Sequence, residues 1–185
     1  MNAIAKMNAI KIVVGQDLYI SSVYSHIIDT TFYISVNHIA FPDLLWTDFS
    51  YPVLSDWAKI IAKNYYNRMP VFELFFLDGP YHITCKTSHQ DITLEMVDDH
   101  QDKIIATATC SYHEWMHVLL AAIEDLQQVI AFQKVARAVR RNLEISAKIL
   151  TLILSLEKEK NFPCYHNKMS YDRKLGRYYC QNHKI

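Results

Sequence analysis

One segment of the chain has the spacing of a zinc-hydrolase motif. His113, Glu114 and His117 match H-E-x-x-H, in which two histidines one helical turn apart bind Zn²⁺ and the glutamate acts on a bound water. The glutamate also fits a structural role, because Ser111 and Glu114 have the spacing of a helix capping box. No third ligand has a convincing spacing. We interpret the match as fortuitous and keep a zinc-dependent hydrolase as an alternative.

A second set of potential metal ligands lies near the C-terminus. Cys164-x-His166 and Cys180-x-x-His183 offer the side chains that zinc uses in structural sites. The C-x-H half lacks the usual spacing, so a polar, basic tail explains these residues better. The chain has only three glycines, which leaves no glycine-rich phosphate loop. We predict no catalytic residue, no metal ligand and no cofactor.

Basic side chains crowd a later segment that has helical periodicity. They could form a phosphate-binding stripe, which would make the chain a nucleic-acid-binding regulator. A solvated helix face, or pairing with an acidic surface, is the simpler explanation. The residues are Lys134, Arg137, Arg140, Arg141 and Lys148.

The acidic side chains are more informative, because they concentrate in a few predicted turns. Turns favour aspartate for local hydrogen-bonding reasons. Together, however, these carboxylates create a negative field that speeds association with a basic protein and repels nucleic acid. The tryptophan among them is either an aromatic anchor for a partner or a core residue. The predicted partner-binding residues are Asp43, Trp46, Asp48, Asp78, Asp98, Asp99 and Asp102.

Hydrophobic periodicity predicts the elements that position these residues. Alternating apolar residues indicate strands near 10–14, 32–39, 71–77, 81–87, 92–97 and 104–110. Asp78-Gly79 predicts a hairpin turn, and helical periodicity predicts helices near 52–66 and 112–131. The last five strands should form one antiparallel sheet in an α+β fold, with the helices on one face and a long C-terminal helical extension. The residues predicted to be buried are Trp57, Phe76, Ile83, Leu94, Trp115, Leu119 and Ile123.

The helical period continues well past the second helix. One unbroken helix would span roughly 70 Å, so it either breaks near 132–141 or projects and packs on another chain. We predict an α+β body at 1–132, a helical basic extension at 133–160 and a basic tail at 161–185 whose lack of periodicity is typical of poorly ordered segments. An exposed apolar stripe would favour a homo-oligomer through residues 135–156.

The formal net charge is zero but is unevenly distributed. Residues 1–132 hold 15 acidic and 7 basic side chains, a net charge of −8, and residues 133–185 hold 12 basic and 4 acidic ones, a net charge of +8. This split indicates an acidic body and a basic segment with different partners. The four cysteines have no disulfide-framework spacing, and no signal-peptide core or membrane-spanning run is present. We expect a cytoplasmic protein with reduced thiols and no membrane partner.

Several short aromatic and acidic patterns are distinctive. They are Phe32-Tyr33-Ile34-Ser35, Phe41-Pro42-Asp43, Trp46-Thr47-Asp48-Phe49, Leu54 with Trp57, and Phe76-Leu77-Asp78-Gly79-Pro80-Tyr81. Together they resemble a group of small bacterial proteins that are mostly uncharacterised or described as immunity-like, over about residues 30–130. The resemblance implies a compact, non-enzymatic α+β protein whose partner is a cognate toxin encoded beside it, and it supplies no catalytic residues. The basic C-terminal segment departs from that pattern.

Overall fold

The computed structural model describes residues 10–21, 27–67, 69–160, 169–172 and 177–180. Within these residues the fold is α+β, with two four-stranded antiparallel sheets, a two-stranded sheet and three helices. The elements are β1 (Ile10–Ile20), β2 (Ile28–Val36), β3 (Ile39–Phe41), β4 (Thr47–Asp48), α1 (Ser50–Asn67), β5 (Val71–Phe75), β6 (Tyr81–Ser88), β7 (Asp91–Asp98), β8 (Lys103–Ser111), α2 (Tyr112–Val129), α3 (Arg137–Lys160), β9 (Met169–Asp172) and β10 (Arg177–Cys180). The chain divides into two compact units, Met1–Leu154 and Ser155–Ile185.

One sheet is the meander that the alternating residues predicted. Strands β5, β6, β7 and β8 lie side by side in that order, and each neighbouring pair is antiparallel. The apolar positions face the core, where Leu74, Ile83 and Met96 are buried. Gly79 turns the chain between β5 and β6 with a φ of 91°, which L-residues rarely adopt. The meander and its hairpin turn are therefore confirmed.

The first strands form a separate sheet. Strand β2 pairs with β1, β3 and β4. The prediction that a strand near 32–39 joins the meander is wrong, because β2 ends at Val36 and the chain reverses at Asn37 and His38, whose φ angles are 49° and 72°. Alternation identifies a strand and its buried face but not its partner strand. Asparagine also tolerates the left-handed conformation that this reversal requires.

Helices α1 and α2 occur where helical periodicity predicted them, and both contact the two larger sheets. Helix α1 contacts β2 and β5, and α2 contacts β1, β7 and β8. The predicted capping box is confirmed, since Ser111 Oγ accepts from Glu114 N at 3.1 Å and Glu114 Oε2 accepts from Ser111 N at 2.8 Å. The helices therefore share their apolar faces with two sheets, whereas one sheet was predicted.

The core has an aromatic centre that joins the first sheet, α1 and the β5–β6 hairpin. The ring centroids of Phe32, Trp57 and Phe76 lie 5.3–5.8 Å apart. Trp57 Nε1 donates to the Phe75 carbonyl at 2.8 Å, so the buried indole has its hydrogen bond. All the residues predicted to be buried are buried: Trp57, Phe76, Ile83, Leu94, Trp115, Leu119 and Ile123.

The helical period breaks between α2 and α3, which is one of the two alternatives predicted. Arg140 closes the break, because its guanidinium donates to the carbonyls of Ile130, Ala131 and Gln133 at 2.7–3.1 Å. Five side chains of helix α3 are buried in the core of the first unit: Val139, Leu143, Leu150, Ile153 and Leu154. The first unit therefore continues past the body boundary predicted at 132.

This burial removes the argument for self-association through residues 135–156. That prediction assumed an apolar stripe exposed to water, whereas the chain's own core covers the stripe. Asn142 of α3 also donates to the hydroxyl of Tyr51 on α1 at 2.7 Å. Helix α3 is thus fastened to the body by apolar packing and by a polar contact.

The second unit contains a feature that periodicity did not predict. Strands β9 and β10 pair antiparallel within the tail, where no regular structure was expected. The tail's potential zinc ligands Cys164, His166 and His183 lie outside the described residues.

Candidate protein-binding surface

Three loops that carry predicted binding residues meet at one end of the β5–β8 sheet. The loop before β4 packs on the β5–β6 hairpin, where the rings of Trp46 and Tyr81 meet edge to face with centroids 5.1 Å apart. Asp48 ties the same two segments together, because its carboxylate accepts from Leu77 N at 3.0 Å. These residues belong to segments that are separate in the sequence, and the fold brings the segments together.

The turn after β7 joins this end through the base of the hairpin. Asp99 N donates to the Pro80 carbonyl at 2.9 Å. The Asp99 carboxylate lies 2.9 Å from His82 Nδ1, and His82 Nε2 lies 3.1 Å from Thr84 Oγ1. The imidazole is thus held on both sides, and it fixes the position of the Asp99 carboxylate.

Gly79 permits the close approach of the loop before β4, which we call the first loop, to the β5–β6 hairpin. A Cβ atom at this position would lie 2.9 Å from Tyr81 Cε2 and 3.1 Å from Trp46 Cη2. Its positive φ disfavours any other residue as well. Packing and backbone conformation therefore require glycine beneath the tryptophan.

Two of the predicted binding residues have structural roles instead. Asp48 is buried and accepts from Phe49 N at 2.6 Å as well as from the hairpin. Asp98 is also buried, and its Oδ1 accepts from the backbone of His100 at 2.9 Å and of Gln101 at 3.2 Å. Both carboxylates stabilise turns, and neither is presented to a partner.

The remaining predicted aspartates are exposed and form what we call the acidic loop surface: Asp43, Asp78, Asp99 and Asp102. Trp46 is half-buried against Tyr81, which fits the core interpretation of this tryptophan better than the anchor interpretation. Trp46 therefore supports the surface from below.

Two further aspartates at this end were not among the predicted residues. Asp29 has its pKa raised by burial first, and then by the negative charges of Asp78 and Asp17. Burial likewise raises the pKa of Asp48, and the negative charge of Asp78 raises it by a smaller amount. The backbone hydrogen bonds that the Asp48 carboxylate accepts lower this pKa. Asp17 accepts from the Thr31 hydroxyl at 2.7 Å. Strands are poor in aspartate, so an aspartate within each of the strands β1 and β2 is unusual. This was the sequence signal that could have identified Asp17 and Asp29.

Exposed leucines accompany the acidic loop surface. Leu44 and Leu45 follow Asp43 in the first loop, and Leu77 precedes Asp78 in the hairpin. All three are more than half exposed, and Leu45 at 70% is the most exposed of them. Leu45 also has a φ of 65°, a sparsely populated conformation for a bulky residue that is concentrated at functional sites. The loop thus places apolar side chains in water at a conformational cost.

The H-E-x-x-H segment opens helix α2. The rings of His113 and His117 lie 4.6 Å apart, centroid to centroid. Glu114 is occupied by the cap, and the backbone and side-chain hydrogen bonds from Ser111 lower its pKa. Among the described residues, no group of three or more His, Cys, Asp and Glu side chains is arranged to hold a metal ion. This geometry adds no support to the hydrolase alternative.

The two cysteines whose side chains are described are free thiols inside the fold. Burial raises the pKa of Cys110 to about 12, and it raises the pKa of Cys85 further above its ordinary range. A thiol must ionise to act as a nucleophile, so neither cysteine is suited to that chemistry at neutral pH.

The basic stripe is divided between two roles. Arg140 is used internally as the cap of α2. Lys134, Arg137, Arg141 and Lys148 are exposed along the start of α3 and the segment before it. Four of the five cationic side chains on which the alternative of nucleic-acid binding depends are therefore exposed to solvent.

No protein-family model, curated protein or solved structure matches the chain. Within the described residues, no helix has the length and apolar character needed to cross a membrane.

Proposed function

We propose that this chain is an immunity protein, a non-enzymatic binding protein that neutralises a cognate toxin in the cytoplasm by direct contact. The observation that carries the proposal is the meeting of three aspartate-bearing loops at one end of the β5–β8 sheet. Asp78 lies close enough to Asp29 and Asp48 for its negative charge to add to the effect of burial, which is larger, in raising the pKa of both carboxyls, so part of each increase is repulsion between carboxylates. The partner that would relieve this repulsion is a basic protein.

The physical argument concerns the stability of the free protein. Like charges held close together destabilise a fold. A surface selected for stability alone would have these charges farther apart. A basic partner turns the same charges into an attractive field that steers its approach to this end. Steered association reaches about 10⁸–10⁹ M⁻¹s⁻¹ at low salt. Such speed suits an inhibitor, which must capture its target before damage accumulates.

Charge alone does not make an interface tight, since desolvation offsets much of the gain from each ion pair. Leu44, Leu45 and Leu77 supply apolar side chains beside the aspartates. Trp46, Tyr81 and Gly79 hold the first loop on the hairpin, so little loop entropy is lost on binding. Apolar contacts bordered by charge are the usual anatomy of a specific interface.

The test uses the C-terminal domain of the protein encoded by the reading frame immediately upstream. Binding kinetics are measured between about 50 and 500 mM salt, where screening of exposed charges increases steeply. We expect Asp78→Asn with Asp99→Asn to slow association at least about tenfold at low salt and to flatten its salt dependence. Wild-type chain should also protect cells that express the toxin domain.

Asp91→Asn is the matched control for each of these two substitutions made singly, because it removes one carboxylate charge from the opposite end of β7. That position is about 23 Å away at 3.3 Å per residue, and the change should leave the association rate as it is. Binding no tighter than to an unrelated basic protein, or equal rates for all of the variants, contradicts the proposal.

A further inference from the structure

The outer face of the β5–β8 sheet has an apolar row at its acidic end. In the register of the strands, Phe75 is opposite His82, His82 is opposite Val97, and Val97 is opposite Ile104. We call these four residues the Phe75 row. Leu74, Ile83 and Met96, each next to one of these residues in sequence, are buried in the core, so the row lies on the other face. With strands about 4.8 Å apart, the row is about 14 Å long.

The two ends of the row are open to solvent. Phe75 and Ile104 are each 50% exposed, although both are large apolar residues. The next row on this face is polar and comprises Glu73, Thr84, Glu95 and Thr107. Apart from Val71 at the far end of β5, the exposed large apolar side chains of this face therefore lie at the end of the sheet that carries the acidic loop surface.

The row is held in a fixed shape. His82 lies between Asp99 and Thr84, with its ring centroid 5.5 Å from that of Phe75. The register of β7 and β8 shifts between Met96 and Val97, which marks a β-bulge. Bulges redirect side chains, often beside functional sites. A partner would therefore meet a surface that needs little reorganisation.

We propose that the Phe75 row is the apolar centre of the contact with the basic partner. The inference rests on the proposed function and extends its interface from the loops onto the sheet. The two surfaces are continuous, because Asp99 belongs to the acidic loop surface and holds His82 of the row. The matching surface on the partner is one of apolar side chains flanked by lysine and arginine.

Charge distinguishes this partner from a second copy of the chain. A two-fold symmetric contact places the same patch of both copies face to face. A contact centred on the row would bring the acidic borders of both copies, Asp78, Asp99 and Asp102, into one interface, and like charges in an interface are unfavourable. A basic protein meets the same border with favourable charge.

The test replaces the two exposed ends of the row by threonine, which strands accept well. Phe75→Thr and Ile104→Thr are measured separately against the upstream-encoded toxin domain. We expect each to raise the dissociation rate at least about tenfold while the salt dependence of association stays as in the wild type. Val71→Thr is the matched control, because Val71 lies on the same strand and the same face, is 47% exposed, and is at the far end.

The possible results separate the two proposals. Wild-type binding that both row variants leave unchanged overturns the inference and leaves the proposed function standing. An equal loss in Val71→Thr also overturns it, because the effect would not be specific to the row. Absence of wild-type binding overturns both. A concentration-dependent dimer that Phe75→Thr dissociates, seen by sedimentation, would assign the row to a second copy and contradict the inference. Ile104→Thr keeps the test decisive if Phe75→Thr does not fold.

Discussion

The two ends of the β5–β8 sheet use the same four strands but treat their polar groups in opposite ways. Toward the β6–β7 hairpin, Lys86 Nζ lies 2.6 Å from Glu95 Oε1, and the hydroxyls of Thr93 and Thr109 lie 3.1 Å apart. Opposite charges and hydroxyls are thus paired within the sheet. At the acidic end, Asp78 lies near other carboxylates, and large apolar side chains are exposed.

This difference separates the end of the sheet with paired polar groups from the end at which we propose that a partner binds. Both ends are made by tight turns between well-paired strands, so the folding requirements are alike. One end pairs Lys86 with Glu95, and the other has Asp78 near further carboxylates and the exposed side chains of Phe75 and Ile104. Features that reduce the stability of the free chain are concentrated at one place, which is the expected signature of a binding site.

The largest expected effect compares the two turns. Gly79→Ala places a side chain at a φ of 91° and against the rings of Tyr81 and Trp46. We expect it to lower the free energy of unfolding by about 2–3 kcal/mol. His89→Gly in the β6–β7 turn, where φ is 55°, should change it by less than about 1 kcal/mol. Urea denaturation of both variants measures the difference, and equal effects would show that the loop does not depend on the hairpin glycine.

A smaller effect tests the cost of keeping Asp29 ionised where it is partly buried and close to other aspartates. The pKa of Asp29 is raised in the folded state by burial and by Asp78 and Asp17. The native state therefore binds more protons between the unfolded and folded pKa values, and stability falls as the pH rises through that interval. Asp29→Asn removes this loss, so it should be more stable than wild type at neutral pH by less than about 1 kcal/mol.

The pH dependence of this gain is its control. The difference between Asp29→Asn and wild type should vanish as the pH falls below the ordinary aspartate range, where the carboxyl is protonated in both states. Thermal unfolding from pH 3 to pH 8 follows it, with Asp91→Asn as a variant of equal charge change. A loss of stability at neutral pH would mean that the carboxylate makes a favourable contact.

The sequence predicted what depends on local pattern. Alternation located the meander, and Ser111 with Glu114 identified the cap of α2, because these signals act within a few residues. It could not assign β2 to its own sheet, since pairing depends on residues far apart in the chain. It also could not foresee that Val139 and Leu143 of α3 return to the core, because an apolar stripe looks the same whether the chain's own core or a partner covers it.

The acidic surface was predictable in composition but not in geometry. Turn chemistry pointed to every aspartate in the loops, yet Asp48 and Asp98 are buried as turn acceptors while Asp78 and Asp99 are exposed. That distinction depends on which backbone donors lie nearby in the folded state. Asp17 and Asp29 come from strands, so a search for turns missed them. The approach of Asp29 to Asp78 is a result of tertiary packing.

The smallest expected effect is the coupling free energy between two charged side chains, and its sign should differ between the two ends of the β5–β8 sheet. A double-mutant cycle with Lys86→Thr and Glu95→Thr should give a favourable coupling of about 0.5 kcal/mol, since one partner is half exposed and solvent screens the pair. A cycle with Asp29→Asn and Asp78→Asn should give a coupling of the opposite sign, because it removes a repulsion. Both couplings should shrink as salt is raised to about 1 M, where the screening length is about 3 Å. Couplings of the same sign would contradict the comparison, because the two ends would then treat their charges alike and repulsion could not indicate the binding surface.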